Sequence, residues 1–523
     1  MINSLNWLDL SILALYAMVL IFIAYYVSRE KAGHQKNAED YFLASKSLPW
    51  WAVGTSLIAA NISAEQIVGM SGAGYAAGIA IASYEWMSAI TLFIVGKYFL
   101  PIFMAKGIYT MPQFLENRYD RRVRIVMSIF WLTLYVLVNL TSILYLGALA
   151  IDAVTGVEMT YAMTGLAVFS FTSSIYGAMK AVAFTDVFQV TLLVLGGLLI
   201  TYLGLEKIGG DQGIVHGFTT LLETVPEKFD LILDPDNPQY QNLPGISVLI
   251  GGMWVMNMSY WGFNQYITQR TLAAKSLQEA QKGIALAAYL KVLMPVIVVL
   301  PGVAAASLIP GLSPSDRAYP EMMKLLPHGL LGIVFASLVA AICASLSSKV
   351  NSISTLFTMD IYKLIIKPSA SEAHLVNVGR IAATISLIIA LVVAKPLIGK
   401  SDQAFQFIQD FTAYFTPGIV LMFLFGFFWK KTTATSALVA GISSILLSIA
   451  FKEFYPGLPF MDRVGLVFVI CAVLAIAVTY AAGGKDQEKA IDLSGINFKT
   501  EPVYNAACVG VVVILVAFYS IWW

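Results

Sequence analysis

Long apolar runs alternate with short polar connectors along almost the whole chain, and most runs approach the ~20 residues that a helix needs to cross a bilayer. Divided at the connectors, the sequence predicts fourteen helical spans: 8–27, 52–76, 82–105, 124–153, 160–178, 183–206, 246–268, 280–308, 328–362, 375–398, 404–428, 433–452, 463–482 and 503–523. No connector is long enough to fold as a separate soluble domain. The expected architecture is therefore one all-α polytopic membrane domain over residues 1–523. The first apolar run begins near Leu8 without a basic leader or a small-residue cleavage site, so it is expected to stay in the membrane.

Composition narrows the function classes. Of the 523 residues 58% are apolar and 12% charged, about half the charged share of roughly 25% in soluble proteins, which argues against a soluble enzyme. Thirty-two Lys and Arg face thirty-one Asp and Glu, a net charge of +1, so nothing favours nucleic acid as a partner. Cys343, Cys471 and Cys508 all lie in apolar stretches and offer no disulfide framework. His34, His216, His328 and His374 show no metal-ligand spacing.

Basic residues gather in alternate connectors: Arg29, Lys31, Lys36 and Lys46; Lys106, Arg118, Arg121, Arg122 and Arg124; Arg270, Lys275 and Lys282; Lys430 and Lys431. The positive-inside rule turns these to the cytoplasm. Both termini are then expected outside a plasma (inner) membrane, with Trp522 and Trp523 in an interfacial aromatic belt. The longest connector, 207–245, is acidic and falls on the external side.

Ionisable residues at bilayer depth cost about 2.5–3.5 kcal/mol each and are functional candidates by default. They are Glu65, Glu85, Lys97, Asp186, Lys291, Lys349, Arg380 and Asp410. Lys97, Arg380 and Asp410 lie near helix ends, where snorkelling or stapling of helices is the favoured explanation. The second span carries Asn61, Ser63, Glu65 and Gln66 among Gly69, Gly72 and Gly74, the composition of an interrupted helix. Carbonyls freed near Ala59 and Ile62 are candidate cation ligands; a glycine packing face is the alternative. The seventh span reads similarly. It opens on Gly251-Gly252, and Asn257, Tyr260, Trp261 and Asn264, at spacings of three, one and three, share one helical face. The two interrupted spans open blocks 52–206 and 246–428 of five spans each. An odd repeat length inverts the second copy, which points to an inverted-repeat transporter with its site at the midplane.

Glu85 and Ser88 share a face of the third span, Phe405 and Gln409 a face of the eleventh, and Lys291 adds a donor from the eighth. Amides, one carboxylate and one ammonium, with Tyr84, Tyr260 and Phe405 as apolar covers, suit a neutral polyhydroxylated ligand such as a pyranose.

The stretches Asp40-Tyr-Phe-Leu-Ala-Ser-Lys-Ser-Leu-Pro-Trp-Trp51, Ala59-Ala-Asn-Ile-Ser-Ala-Glu-Gln66, Ala82-Ser-Tyr-Glu-Trp-Met-Ser88, Tyr260-Trp-Gly-Phe-Asn-Gln265 and Phe357-Thr-Met-Asp-Ile-Tyr-Lys363 resemble the sodium/solute symporter family, over nearly the whole chain. The resemblance implies fourteen helices, a leading helix at 8–27, a leucine-transporter-type five-plus-five core, three further helices over 433–523, and alternating access. It implies that Asn61, Gln66, Glu85, Ser88, Asn257, Lys291 and Gln409 hydrogen-bond a galactose- or glucose-like hexose. Met70, Tyr84 and Phe405 match an outer gate and Tyr260 an inner gate. A coupling sodium ion, the only metal implied, is expected on the backbone carbonyls of Ala59, Ile62 and Ala341 and the Ser345 hydroxyl, with Asp186 on its exit path. All-oxygen ligation suits a hard cation.

One departure stands out. The family usually places two adjacent hydroxyl residues on the ninth span, whereas this chain has Ala344-Ser345, and Lys349 follows one turn later on the same face. Two expectations follow. Either sodium still binds and Lys349 faces the cytoplasmic vestibule, or Lys349 stands in for sodium and transport is sodium-independent or proton-linked. A transport-impaired sugar sensor is the further alternative. Other signals fall away: Ala394-Lys-Pro-Leu-Ile-Gly-Lys-Ser401 ends a membrane helix, not a strand–loop–helix nucleotide site. Gly69-Met-Ser-Gly-Ala73 lacks the final glycine of a nucleophile elbow. With no nucleophile–base pair and no metal cluster, no enzyme or cofactor is expected.

Overall fold

The computed structural model describes residues 5–28, 46–108, 110–174 and 179–523. Arg29, Lys31, Lys36, His34 and the segment from Asp40 to Ala44 lie outside the described residues. Among those described the fold is all-helical, and the one β-bridge, Leu48 with Ala274, is isolated.

The principal helices are α1 (Trp7–Ser28), α2 (Trp50–Asn61), α3 (Met70–Ala77), α4 (Ser83–Ile94), α5 (Arg121–Thr133), α6 (Thr141–Thr155), α7 (Met159–Ser174), α8 (Met179–Gly209) and α9 (Gly252–Asn257). They continue as α10 (Gln265–Leu272), α11 (Leu277–Met294), α12 (Leu300–Leu308), α13 (Leu330–Thr355), α14 (Glu372–Ile398), α15 (Ala404–Thr412), α16 (Thr416–Phe428), α17 (Ala434–Phe454), α18 (Phe460–Ala481) and α19 (Pro502–Ile521). Among the described residues nine helical stretches are long and apolar enough to cross a membrane, and a tenth arises if α15 and α16, bent by 47°, form one span.

The apolar pattern is turned outward on the peripheral helices. Val392 on α14, Val473 on α18 and Val513 on α19 are 69%, 59% and 60% exposed. So much exposed apolar surface needs a lipid solvent.

Inside, small residues let helix backbones meet. A Cβ on Gly54 of α2 would lie 2.6 Å from the Gly283 carbonyl of α11, and one on Gly283 would lie 2.8 Å from Val53. This contact lays α2 along α11 and so brings Asn61 to Lys291. α2 starts after Pro49, with the Trp50 N–H donating to Glu279 of α11. Gly302 of α12 packs so closely on α3 that its Cβ would fall 2.0 Å from the Ser71 carbonyl. Gly302→Val is expected to cost about 1–3 kcal/mol, read as a lower unfolding temperature in detergent, while Gly165→Ala on α7, where the added Cβ meets nothing within 4 Å and the backbone is helical, serves as the mild comparison.

The structure departs from the predicted spans in three places. The 52–76 span is in two pieces, as its interrupted composition predicts, but its second half does not stop at 76 and runs on through Gly78–Ala82 into α4. The helix expected over 183–206 starts at Met179 and extends to Gly209. The acidic connector 207–245 holds a helix of its own, Gly213–Thr224, because Leu221 and Gly217 form an apolar face buried against α8. π-helical turns interrupt several spans, at Glu65–Gly69, Leu134–Leu140, Met258–Gly262 and Pro295–Val299, a geometry found frequently at functional sites.

Candidate functional site

Two helix breaks frame the site. α2 ends at Asn61, Ile62 is extended (φ −69°, ψ 105°), and helix resumes at Glu65. The Ile62 N–H donates to the Ile58 carbonyl, while Gln66 and Ile67 N–H both converge on the Ser63 carbonyl. Among the described residues no N–H reaches the carbonyls of Ala59 and Ile62, so two backbone acceptors are left for another donor or a cation. The second break follows the turn Met258–Gly262. Phe263 (φ −128°, ψ 0°) and Asn264 (φ −80°, ψ 126°) leave the helix before α10 begins.

Between the breaks lies a continuous buried polar network. The Lys291 ammonium, 1% exposed, donates to Glu85 Oε2 at 2.6 Å and to the Asn61 amide oxygen. Asn61 Nδ2 donates to the Tyr260 hydroxyl at 3.2 Å. Gln66 Nε2 donates to Glu85 Oε1 and lies 3.1 Å from Met70 Sδ. Lys291 also sits 4.9 Å from the Trp261 ring centre. Adjoining it, the Ser88 hydroxyl donates to Asn257 Oδ1 at 2.7 Å. Tyr84 meets Phe405 edge-on at 5.2 Å, which closes one side of the cluster with aromatic surface.

Opposite charges paired in this way leave the cluster neutral, and some of its hydrogen-bonding capacity is unspent. Among the described residues Asn257 Nδ2 is buried without a partner, while the Tyr84 hydroxyl and Gln406 Nε2 face one another without a well-formed hydrogen bond. Orphaned buried polar groups in a native structure call for an explanation, and a ligand rich in hydroxyls supplies one. Gln409 is half-buried on α15 and makes no hydrogen bond to the others. Asn264, which sequence spacing set on the face of Tyr260, instead accepts from the Tyr135 hydroxyl at 3.1 Å. The π-helical turn and the break at Phe263 carry it off that face.

Ala341 and Ser345 lie one turn apart on α13 and both are buried. Among the described residues no hydrogen bond uses the Ser345 hydroxyl. Lys349, one turn on, is 3% exposed, and its ammonium lies over the Tyr266 ring at 3.6 Å and 6.0 Å from the Tyr135 ring centre. It donates no hydrogen bond to Ala59, Ile62, Ala341 or Ser345. Glu65 attracts it across space, while accepting hydrogen bonds from Ser142 and Asn139.

Asp186 sits in a buried ion pair with Arg270 Nη1 at 2.8 Å and accepts from the Ser56 hydroxyl at 2.7 Å. Arg270, read from sequence as an interfacial connector charge, is 5% exposed; its partner Asp186 draws it into the protein. Asp410 is bound by Lys452 and Arg463 and so staples α15 to α17 and α18. Lys97 rests 5.4 Å over Tyr98, and Arg380 is exposed. Among the described residues no group of His, Cys, Asp and Glu could hold a metal, and the three cysteines are free.

The sodium:solute symporter family model matches residues 41–444, a stretch containing both breaks and every residue of the network. The chain belongs to the sodium:solute symporter family. It is 49% identical to the sodium/glucose cotransporter of Vibrio parahaemolyticus over 540 residues, covering 100% of this chain and 99% of that protein. It is 32% identical to the human sodium/myo-inositol cotransporter 2, covering 84% and 69%. Its fold is similar to that of a Na+-coupled sialic acid symporter solved in a substrate-bound outward-open state (TM-score 0.74, 22% identity, 91% and 98% covered). It is also similar to a nucleobase-cation-symport-1 family transporter in a closed conformation (TM-score 0.53, 13% identity, 87% and 98% covered).

As a sodium:solute symporter the chain is a multi-pass membrane transporter and not an enzyme. Sequence reasoning about this symporter missed the aromatic group formed by Tyr135 and Tyr266. Tyr266 donates to the Tyr260 hydroxyl at 2.8 Å. Its one sequence signal, Tyr266 and Arg270 four apart on α10, gives no hint of Lys349 on a different helix. Asp9 was also missed. It is fully buried at the start of α1 and accepts from the Gly329 and Gly332 N–H groups, with His328 Nδ1 2.8 Å away.

Proposed function

We propose that this symporter imports a hexose of the galactose or glucose type together with Na+ by alternating access. One observation carries the reading: Asn61, Gln66, Glu85 and Lys291 form a single charge-neutral network between two broken helices, beside the buried Asn257 Nδ2, which has no partner among the described residues. That the Vibrio relative is a sodium/glucose cotransporter agrees with that chemistry.

In this reading fourteen spans form a leading helix, two inverted five-span repeats over 52–206 and 246–428, and three closing helices, in a plasma membrane with both termini outside. Asn61, Gln66, Glu85, Ser88, Asn257, Lys291 and Gln409 take the sugar hydroxyls. Met70, Tyr84 and Phe405 cover it from outside, and Tyr260 covers it from inside. Na+ enters as a co-substrate. It binds the free carbonyls of Ala59 and Ile62, the carbonyl of Ala341 and the hydroxyl of Ser345, and leaves past Asp186. An ion that joins the break in α2 to α13 binds the outward state more tightly than the inward one. Sugar loading on that state is then linked to the ion by differential affinity.

The Lys349 ammonium rests on an aromatic ring and makes no hydrogen bond to those oxygens, which supports sodium over a tethered-cation substitute. Uptake of labelled galactose, glucose and proline into proteoliposomes, with Na+, K+ and H+ gradients imposed in turn, tests the reading. Hexose is expected to accumulate only under the Na+ gradient, and proline under none. Hexose accumulation indifferent to Na+ would remove the coupling ion, and no accumulation of any hexose would leave a sensor.

A further inference from the structure

Lys349 is the least expected residue in this interior. Burying an ammonium is costly unless it is paired. Among the described residues, however, it forms neither a close ion pair nor a hydrogen bond; Glu65 attracts it only across space, and the group in direct contact with its charge is the ring of Tyr266 at 3.6 Å, a cation–π contact strengthened by the absence of water.

That ring occupies a strategic position. Tyr266 stands on α10, just beyond the second helix break, and its hydroxyl donates to Tyr260. Tyr260 accepts from Asn61, and Asn61 accepts from Lys291. Lys349 itself stands on α13, one turn from Ser345. A chain of direct contacts therefore runs from the helix that offers Ser345 and Ala341, through Lys349, Tyr266 and Tyr260, to the polar network.

We propose that Lys349 is a positioning residue that latches the inner cover of the sugar site to the sodium-binding helix. While α13 is held at the break by the ion, the ammonium stays on Tyr266, and Tyr266 holds Tyr260 across the sugar. Once the ion leaves and α13 shifts, the ring is released and the cover opens. The latch keeps the ion from leaving inward before sugar is loaded, so it acts on coupling and not on sugar affinity. This inference rests on the sodium site of the proposed reading, and it extends that reading by naming what couples the ion to the cover.

The test measures release of radioactive Na+ from preloaded proteoliposomes without any sugar, alongside Na+-driven hexose uptake. Lys349→Met and Tyr266→Leu are each expected to raise the sugar-independent sodium leak about fivefold and to lower sugar moved per ion. The double variant should leak no more than either single one, because both remove the same contact. Lys349→Arg, which keeps a cation on the ring, should restore the parental leak, a rescue that a merely space-filling role does not predict. A parental leak in both single variants would overturn the latch. So would a Lys349→Met variant whose only change is tighter sodium binding, which would mark the ammonium as a competitor for the ion. A raised leak in the variants together with no hexose uptake by the parent would keep the latch and remove the hexose.

Discussion

Lys291→Ala is expected to abolish hexose uptake and to lower the unfolding temperature of the protein at the same time. The ammonium is 1% exposed and neutralises Glu85, itself 3% exposed, while also satisfying the Asn61 amide oxygen. Removing it leaves a buried carboxylate without its cation, a loss of about 3–5 kcal/mol when one partner of a buried pair is deleted. The two consequences separate in a second variant. Lys291→Met with Glu85→Gln removes both charges, leaves Gln66 an amide to bond, and is expected to recover most of the stability, since replacing a whole buried pair by neutral groups is often close to neutral. It is not expected to recover uptake, because the donor and acceptor that read the sugar hydroxyls are gone. Thermal unfolding in detergent and labelled-hexose uptake on the same preparations make the comparison. Uptake that returns with stability would show that the pair only staples α4 to α11, and the sugar assignment would pass to Asn257 and Ser88.

The cluster was legible in the sequence because membrane helices carry few polar residues, so each exception marks itself. Asn61, Gln66, Glu85 and Lys291 were found one at a time by that rule, and the structure brings all four together. The first break was legible for the same reason, since Asn61, Ser63, Glu65 and Gln66 with three glycines cannot be a plain lipid-facing helix. Periodicity failed where its premise failed. Spacings of three and four residues map to one face only while the helix turns at 3.6 residues, and the wide turn at Met258–Gly262 followed by the extended Asn264 broke that mapping. Long-range pairing was out of reach altogether. Arg270 resembles any charge at a membrane edge until Asp186, 84 residues earlier, is folded against it. In the same way, the pairing of Asp9 with His328 spans 319 residues. The Lys349 contact belongs to this class, because an aromatic ring carries no charge with which to announce a cation partner.

Ser345→Ala is expected to raise the Na+ concentration for half-maximal uptake by about ten- to a hundredfold while leaving the rate at saturating Na+ nearly unchanged. Of the four oxygens proposed for the ion, three are backbone carbonyls that no side-chain substitution removes, and two of them, on Ala59 and Ile62, are left without an N–H partner by the break. The Ser345 hydroxyl is the one side-chain ligand, and Ala344 beside it supplies none. An interaction between a charge and a polar group contributes about 1.5–3 kcal/mol, and each 1.4 kcal/mol is a tenfold change in affinity, which gives the stated range. The converse variant, Ala344→Ser, adds a hydroxyl beside the first and is expected to lower the half-saturating Na+ concentration. The pair is diagnostic because the substitutions sit on adjacent residues and are similar in size, so a general disturbance of α13 would push both in the same direction. Opposite shifts on a sodium titration of uptake locate the ion at this turn of the helix. Equal shifts, or none, would move it away from α13 and take with it the link between ion and inner cover.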